Sequence, residues 1–248
     1  MTDLKGKTAF ITGSNRGLGR AYAEEFARCG ANVIVHARKE SSEFAVWCSE
    51  LAAKCGVTVT PVFFDMTDSV GMKNAVRSLV SQKIPVNILV NNAGVPHGGL
   101  LVMTPMAKIR EVFEVNLFSV MELTQQLLRY IQRCGGGSII NVSSAFGLDL
   151  DAGNSAYGVT KAAIAAFTKT LAAECGANGI RVNAIAPGLI TTDITGFMDE
   201  KVRNHMVEVC AMKRDGKVSE VAKVVAFLAS DDASFVNGEV IRVDGRLS

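Results

Sequence analysis

Tyr157 and Lys161 stand four residues apart at the start of a long stretch whose apolar residues recur with helical spacing. Because residues i and i+4 share one face of a helix, the phenol and the ammonium would lie side by side. A nearby ammonium favours the phenolate and would lower a tyrosine pKa that is otherwise about 10. Such a pair can exchange a proton with a substrate oxygen, such as the alkoxide left when a hydride adds to a carbonyl. The alternative is a tyrosine at the edge of the core beside a surface lysine.

Three more polar side chains precede this pair and could take part in the same chemistry. Ser144 lies thirteen residues before Tyr157, just after a predicted strand, and its hydroxyl could stabilise negative charge that develops on a substrate oxygen. Ser143 is the adjacent rival, for which the alternative role is a capping or turn hydroxyl. Asn116 lies inside an apolar predicted helix, where asparagine is a poor helix former, so a function or a buried backbone bond must explain it.

The apolar pattern predicts the elements that must position these groups. Short β-branched and apolar runs predict strands over 8–12, 32–36, 58–64, 87–90, 138–142, 181–185 and 239–243. Apolar residues at three-four spacing predict helices over 18–29, 44–54, 69–82, 111–132, 155–175 and 219–229. Strands this apolar, separated by helices, indicate an α/β fold with a doubly wound, parallel, seven-stranded sheet of Rossmann type.

A glycine-rich turn follows the first predicted strand and opens the first predicted helix. It reads Thr12-Gly13-Ser14-Asn15-Arg16-Gly17-Leu18-Gly19. Glycines permit a tight turn and let backbone N–H groups approach a phosphate at a helix N-terminus. The position after the first strand favours pyrophosphate binding over a plain strand-to-helix turn. The spacing is G-x-x-x-G-x-G rather than the more common G-x-G-x-x-G.

This turn resembles that of the short-chain dehydrogenase/reductase family, and further motifs follow in the family's order along essentially the whole chain. They are Asp65, Asn91-Asn92-Ala93-Gly94, Asn116, Ser144, Tyr157-x-x-x-Lys161, and Pro187-Gly188 with Thr192. The resemblance implies hydride transfer between a nicotinamide dinucleotide and a carbonyl or secondary alcohol. It implies that Ser144, Tyr157 and Lys161 are catalytic. It also implies that a helix kink at Asn116 holds a relay water connected to Lys161.

The cofactor is expected to be NADP(H) rather than NAD(H). In dinucleotide folds an acidic residue at the end of the second strand binds the ribose 2′-hydroxyl, but here that position holds Ala37, followed by Arg38. The planar, permanently charged guanidinium of Arg38 suits a 2′-phosphate, and Arg16 could reach the same group. The alternative is that both arginines are solvated loop charges.

The resemblance also implies contacts along the length of the dinucleotide. Asp65 and Met66 would meet the adenine, although Asp65 could instead be a helix N-cap. Ile190 and Thr192 would bind the carboxamide, and Lys161 would hold the nicotinamide ribose. The full set of predicted cofactor-binding residues is Gly13, Ser14, Asn15, Arg16, Gly17, Leu18, Gly19, Arg38, Asp65, Met66, Asn91, Ala93, Gly94, Val115, Tyr157, Lys161, Pro187, Gly188, Ile190 and Thr192.

Composition narrows the class of protein. The net charge of +2 gives no general case for binding nucleic acid or an anionic membrane. The six cysteines form no C-x-x-C pair and none lies near a histidine at metal-ligand spacing, so we expect reduced thiols and no metal site. The N-terminus shows no apolar signal core, and no apolar run is long enough to span a membrane. A cytoplasmic protein is expected.

One domain is expected over residues 1–248, with the dinucleotide and catalytic sites together, because no linker and no repeat interrupts the chain. A long segment of mixed character follows the sixth predicted strand. Insertions at a strand's carboxyl end are where such sheets build substrate sites, so 191–214 is predicted to form a lid. Residues 95–97 and 146–148 are expected to line the same pocket.

The resemblance within the family is greatest to 3-oxoacyl-[acyl-carrier-protein] reductases, which implies reduction of a 3-oxoacyl thioester by a homotetramer. Docking of an acidic carrier protein needs basic residues, and Arg133 remains, but Gly135 and Asn178 stand at the other expected basic positions. A sugar, polyol, steroid or secondary-metabolite alcohol is therefore an alternative substrate. An alternative of another class is a non-catalytic NADP(H)-binding sensor or assembly subunit.

Overall fold

The computed structural model describes residues 2–192 and 200–246. Its strands are β1 (Thr8–Ile11), β2 (Asn32–Ala37), β3 (Val59–Phe63), β4 (Ile88–Asn91), β5 (Gly137–Val142), β6 (Ile180–Pro187), β7 (Ile190–Thr191), β8 (Gly216–Lys217) and β9 (Val240–Val243). Seven of them form one parallel sheet in the order β3-β2-β1-β4-β5-β6-β9, and β7 pairs with β8 outside it. The predicted seven-stranded parallel sheet is confirmed.

Helices cover both faces of this sheet. They are α1 (Gly17–Arg28), α2 (Ser42–Cys55), α3 (Ser69–Ser81), α4 (Met106–Phe113), α5 (Ser119–Arg133), α6 (Tyr157–Cys175), α7 (Glu200–Val209) and α8 (Val218–Ala229). One hydrophobic core joins the sheet to α1, α2 and α8, and a second joins its other face to α3, α5 and α6. In the described residues, no helix is long and apolar enough to cross a membrane.

The burial of both sheet faces explains why the strands read as continuous apolar runs. Along β1, Ala9 and Ile11 contribute to the core beneath α1 and α8, while Phe10 contributes to the core beneath α3 and α5. Successive side chains of a strand point to opposite faces, so a strand covered on both faces needs apolar residues at every position. The hydrophobic effect over both cores therefore fixes the register that aligns the strand ends.

The helix predicted over 111–132 differs most from the structure. It begins earlier, as α4 directly after Pro105, and a π-helical turn at Glu114–Phe118 joins α4 to α5. The local break expected at Asn116 is thus present. Single π-turns interrupt the regular hydrogen-bond ladder of a helix and are frequent at functional sites.

Strand order places a crevice at the carboxyl end of the sheet. The chain builds β1, β2 and β3 outward in one direction, then returns to pair β4 on the opposite side of β1. The connections after β1 and β4 therefore diverge above the sheet, and ligands of open α/β sheets bind where they part. The predicted lid over 191–214 follows β6 at the same edge, with residues 193–199 outside the described ranges.

Candidate active site

A cavity of about 380 Å³ opens at this crevice and joins most of the predicted site residues. Its walls come from the turn after β1 and from the segments that follow β2, β3, β4, β5 and β6. Of the predicted residues, those that line it are Gly13, Asn15, Arg16, Gly17, Leu18, Gly19, Arg38, Asp65, Met66, Ala93, Gly94, Val115, Ser144, Tyr157, Lys161, Pro187, Gly188, Ile190 and Thr192. Val95 and Pro96 line it too, as expected, whereas His97 and residues 146–148, expected to line the same pocket, do not.

Three predicted site residues stand behind the cavity wall. Ser14 is fully buried, and its hydroxyl donates to the Ile11 carbonyl at 2.9 Å. The Asn91 amide donates across the sheet to Asn141 at 2.8 Å and to a threonine of α5. Asn116, also buried, bonds to backbone groups of the segment after β4. The direct ligand contact predicted for Ser14 and Asn91 is therefore not available to their side chains, which hold the ends of strands together.

The cavity also has walls that the sequence reasoning missed. These are His36, Phe64, Asn92 and Val142. Ser143, the rival considered for Ser144, lines the cavity as well, and Asn92 lies within a motif whose other residues were predicted to bind the cofactor. His36 left a weaker signal, a polar residue at the end of a predicted strand whose central residues are apolar, and nothing in the sequence indicated its partners.

The glycine turn shows where absent side chains make room. Gly13 and Gly17 both have positive φ angles, +63° and +57°, which glycine adopts at no steric cost. A Cβ added at Gly19 would lie 2.3 Å from the Gly13 carbonyl oxygen, so only glycine lets α1 start this close to β1. A Cβ added at Gly17 would meet nothing nearer than Thr192, 3.9 Å away across the cavity. The turn therefore presents backbone rather than side chains to this space.

Hydrogen bonds from neighbouring strands hold the turn. The Thr12 hydroxyl accepts from the N–H groups of Asn92 and Ala93, both at 2.9 Å, and so joins the ends of β1 and β4. The N–H of Gly13 points to the Nδ1 atom of His36 at 3.0 Å, which joins the turn to the end of β2. The protein itself thus fixes the backbone of the turn.

Two cations flank this end of the cavity. Arg16 and Arg38 are exposed and line the opening, and neither forms an ion pair with the described residues. An unpaired planar guanidinium is a suitable partner for a phosphate.

Asp65 lies beside these cations. Its carboxylate accepts from the Thr67 N–H at 2.9 Å and from the Thr67 hydroxyl at 2.8 Å, and these bonds, with a smaller effect of the Arg38 charge, lower the pKa of Asp65. The alternative that Asp65 caps a helix is wrong, because Asp68 caps α3 by accepting from the Gly71 N–H.

Tyr157 and Lys161 begin α6 and face the other end of the cavity. The Lys161 ammonium lies 5.7 Å from the centroid of the Tyr157 ring and donates to the Val142 carbonyl at 2.8 Å. Burial lowers the pKa of Lys161 to about 8. Burial raises the pKa of Tyr157, and a hydrogen bond with Ser144 opposes that rise. In the protein alone the effect of burial is the larger, so the expected net lowering of the Tyr157 pKa is wrong there and the phenol stays protonated at neutral pH.

The two serines after β5 have different partners. Ser144 lines the cavity, accepts from the Phe146 N–H at 3.2 Å and caps a short 3-10 turn, Ala145–Gly147. Ser143 is buried and donates to the Lys161 carbonyl at 2.7 Å, so it ties α6 to β5. The capping role considered for Ser143 belongs to Ser144.

Gly147 lets the loop that carries Ser144 pack against α6. A Cβ added there would lie 2.7 Å from the Lys161 Cβ. This close approach sets the distance between the serine hydroxyl and the tyrosine–lysine pair.

Asn116 lies in the π-turn and is held by the segment after β4. Its Oδ1 atom accepts from the Val95 N–H at 2.8 Å, and its Nδ2 atom donates to the Val95 carbonyl at 2.9 Å. A Cβ added at the neighbouring Gly94 would lie 3.1 Å from the Asn116 Oδ1 and 3.6 Å from the Lys161 Nζ. The absent side chain of Gly94 thus leaves space between the asparagine and the lysine, on the floor of the cavity.

The turn after β6 forms the remaining wall. A Cβ added at Gly188 would lie 2.6 Å from the Cβ of Asp244, which follows β9 and accepts from the Arg242 Nε at 2.8 Å. Gly188 therefore permits the close packing that brings Pro187 and Ile190 to the cavity. The cavity as a whole fits an elongated ligand with phosphates at the glycine turn and a reacting group near the phenol.

Comparison with known proteins agrees with this geometry. Residues 13–248 match a family model described as Enoyl-(Acyl carrier protein) reductase. The chain is 37% identical to 3-oxoacyl-[acyl-carrier-protein] reductase FabG from Aquifex aeolicus, covering 98% of this chain and 97% of that protein.

Solved structures give the same result at the level of the fold. A putative gluconate dehydrogenase from Agrobacterium tumefaciens superposes with a TM-score of 0.94 at 33% identity, covering 99% of this chain and 97% of that one. L-sorbose reductase from Gluconobacter frateurii, solved with NADPH and L-sorbose, gives a TM-score of 0.91 at 32% identity, with coverage of 99% and 98%. The chain belongs to the short-chain dehydrogenase/reductase family.

Proposed function

We propose that this protein reduces a ketone to a secondary alcohol with NADPH, and that the ketone is the 3-oxo group of an acyl thioester. The observation that carries the proposal is one cavity with two guanidiniums, neither paired within the described residues, at one end and Ser144, Tyr157 and Lys161 at the other. A dinucleotide is long enough to reach both ends, so one molecule would meet both sets of groups. The curated relatives named as 3-oxoacyl-[acyl-carrier-protein] reductases support the substrate class.

NADP(H) fits the residues of this cavity. The backbone of the glycine turn would hold the pyrophosphate, and Arg38 with Arg16 would hold the 2′-phosphate. NAD(H) enzymes place an acidic residue at the position of Ala37. Since alanine has no carboxylate, nothing at this position would repel the 2′-phosphate. Solved neighbours with NADPH or NADP bound support this choice.

The protein groups handle the proton of the reaction. When bound, the reduced cofactor supplies a hydride to the carbonyl carbon. Tyr157, kept protonated by burial, would donate its proton to the carbonyl oxygen as negative charge develops there. Ser144 would donate a hydrogen bond to the same oxygen and hold the ketone against the phenol. Lys161 would bind the ribose hydroxyls and place a positive charge near the phenol, which stabilises the phenolate after transfer.

Asn116 and Gly94 complete this assignment. The space above Gly94 lies between the asparagine and the lysine, so a water there would connect Lys161 toward solvent and return the lost proton. The bonds from Asn116 to Val95 hold the wall of that space.

The proposed recognition of the substrate does not depend on contacts with a carrier protein. Arg133 is exposed near the end of α5, but Gly135 and Asn178 supply no further charge on that face. Recognition would therefore rest on the thioester itself, and we expect similar KM values for a coenzyme A thioester and a carrier-bound one. A much lower KM for the carrier-bound substrate would contradict this part.

Sugar or polyol conversion is the second candidate, favoured by the solved structures named as a gluconate dehydrogenase and a sorbose reductase. The deciding experiment measures NADPH oxidation with acetoacetyl-coenzyme A, L-sorbose and a keto-gluconate. The proposal predicts the highest kcat/KM for the thioester. Preference for a sugar would support the second candidate, and NADPH binding without turnover on a broad ketone panel would indicate a sensor or assembly subunit.

The lid and the oligomer are parts of the same proposal. Segment 191–214, with α7, would cover the substrate once it is bound. Phe118 and Met121 near the start of α5 and Val159 on α6 are large exposed apolar residues, and we propose that these two helices form the interface of a homotetramer. Light scattering should give four times the monomer mass, and Phe118→Asp should lower it. A monomeric wild type would contradict the interface.

A further inference from the structure

His36 is a buried titratable side chain that the proposed reaction does not use. It lies near the end of β2, is 3% exposed and forms part of the cavity wall beneath the glycine turn. The Gly13 N–H approaches its Nδ1 atom at 3.0 Å, and its Nε2 atom lies 2.9 Å from the Phe64 carbonyl oxygen. The imidazole thus bridges two of the segments that would enclose a nucleotide.

The two partners assign the protonation state of this ring. A backbone N–H can only donate and a backbone carbonyl can only accept, so Nδ1 must carry a lone pair and Nε2 must carry the proton. The neutral ring is the form that satisfies both contacts. Burial lowers the pKa of His36 to about 4, with a smaller opposing effect of the bond to Phe64 and of the nearby Asp65 carboxylate. The ring therefore stays neutral in the physiological range.

Backbone bonds of the same residue reinforce the bridge. The His36 N–H donates to the Ser14 hydroxyl at 2.8 Å, and the Ser14 N–H donates to the His36 carbonyl at 2.8 Å. One residue of β2 thus fixes two consecutive N–H groups of the turn, at Gly13 and Ser14. Both N–H groups are therefore already bonded within the protein, and the backbone of the turn is held in place at these two residues.

Glycine makes such an anchor necessary. Gly13 has φ of +63°, and glycine populates many other conformations almost equally. Without an anchor, the free turn would sample those conformations and would lose that freedom when a ligand binds. A binding site that is already ordered avoids that loss. We propose that His36 is a positioning residue that, by accepting the Gly13 N–H, presets the phosphate-binding turn for the dinucleotide. This inference rests on the proposed function, because it assumes that NADP(H) occupies the cavity.

Two substitutions separate this role from simple core packing. In His36→Asn the amide oxygen takes the place of Nδ1 and still accepts from Gly13, while the bond to Phe64 is lost. In His36→Gln the amide nitrogen takes the place of Nε2 and still donates to Phe64, while Gly13 loses its acceptor. Both variants lose the aromatic contact with Phe64, whose ring centroid lies 4.2 Å from that of His36. A packing role would therefore affect both variants alike.

The experiment measures NADPH binding by fluorescence titration, together with kcat at saturating NADPH and the melting temperature. We expect about a tenfold rise in Kd for His36→Gln, a Kd close to the wild-type value for His36→Asn, and an unchanged kcat in both. Equal Kd values in the two variants would overturn the inference while leaving the proposed function intact. Failure of the wild type to bind NADPH would overturn both.

A measurement on the wild-type protein tests the same point without any substitution. Nitrogen NMR of labelled histidine should show the neutral Nε2–H form of His36 between pH 5 and pH 8, whether or not NADPH is added. The Nδ1–H form would overturn the inference, because that nitrogen could not accept from Gly13.

Discussion

The two ends of the cavity are built by different means. At the nucleotide end, the groups that face the ligand are mostly backbone, and Thr12 and His36 anchor them through the N–H groups of Gly13, Asn92 and Ala93. At the chemical end, the active groups are the side chains of single residues, held by one or two hydrogen bonds to the backbone. Dinucleotide binding therefore depends mainly on chain conformation, whereas the reaction depends on individual functional groups.

Charge divides the two ends as well. Arg16 and Arg38 are exposed guanidiniums at the opening of the cavity. Lys161 is a buried ammonium whose pKa is lowered to about 8, so its charge depends on pH within the working range. Substitutions and pH should therefore act on the two ends in different ways.

After the loss of the Tyr157 hydroxyl, the largest expected effect comes from removing the Ser144 hydroxyl at the chemical end. Ser144→Ala should lower kcat by about 10²–10³-fold, because the developing oxyanion loses a hydrogen-bond donor. Ser143→Ala is the matched control, since its hydroxyl bonds to the Lys161 carbonyl and does not serve the substrate. Ser143→Ala should lower the melting temperature and leave kcat close to the wild-type value. Steady-state kinetics would contradict the assignment if Ser143→Ala were the more damaging change.

The nucleotide end should respond to charge reversal with an altered choice of cofactor. Arg38→Asp removes a phosphate partner and adds a carboxylate of the kind that binds a ribose 2′-hydroxyl, so KM for NADPH should rise by about 10–100-fold. KM for NADH should fall. Kinetics with both cofactors test this, and a wild-type preference for NADH would exclude the role of Arg38.

The pH dependence should report the chemical end alone. Lys161 is an ammonium below its pKa of about 8 and a neutral amine above it, and only the ammonium can stabilise the phenolate. The value of kcat/KM for NADPH should therefore fall as pH rises through about 8. Arg38→Asp should keep the same falling limb at lower absolute values, because that limb reports Lys161. A flat profile up to pH 9.5 would show that burial does not set the Lys161 pKa.

The lid should give the smallest effect, because its contacts are exposed. The Asp215 carboxylate accepts from the Thr191 hydroxyl at 3.1 Å and from the Arg203 Nε at 3.0 Å, and so joins β7 to α7. Asp215→Asn should raise the substrate KM by about two- to fivefold, the range of one exposed ion pair. Glu111→Gln, which breaks the exposed pair with Lys108, is the control and should leave KM unchanged.

Features that depend on local chain geometry could be predicted from the sequence. The central strands were predictable because strands buried on both faces are mostly apolar, as Ile88, Leu89 and Val90 of β4 illustrate. The glycine turn and the Tyr157–Lys161 pair were predictable because their geometry is set within a few residues of chain.

The remaining features depend on contacts between distant segments. The place of His36 beneath Gly13 follows from the pairing of β1 with β2, and its bond to Phe64 follows from the pairing of β2 with β3. The raised pKa of Tyr157 depends on its burial in the folded chain, which sequence spacing does not reveal. Ser14 belongs to the predicted motif, yet its side chain points to β2, because a motif fixes residue types and not the direction of each side chain.

The central claim is that Tyr157 delivers the proton while the nucleotide end binds independently of it. The most direct measurement compares wild type and Tyr157→Phe for NADPH binding by fluorescence and for NADPH oxidation with acetoacetyl-coenzyme A. We expect equal Kd values and a loss of turnover of about 10³-fold or more, because the ring remains and only the proton donor is gone. Turnover by Tyr157→Phe close to the wild-type rate would contradict it.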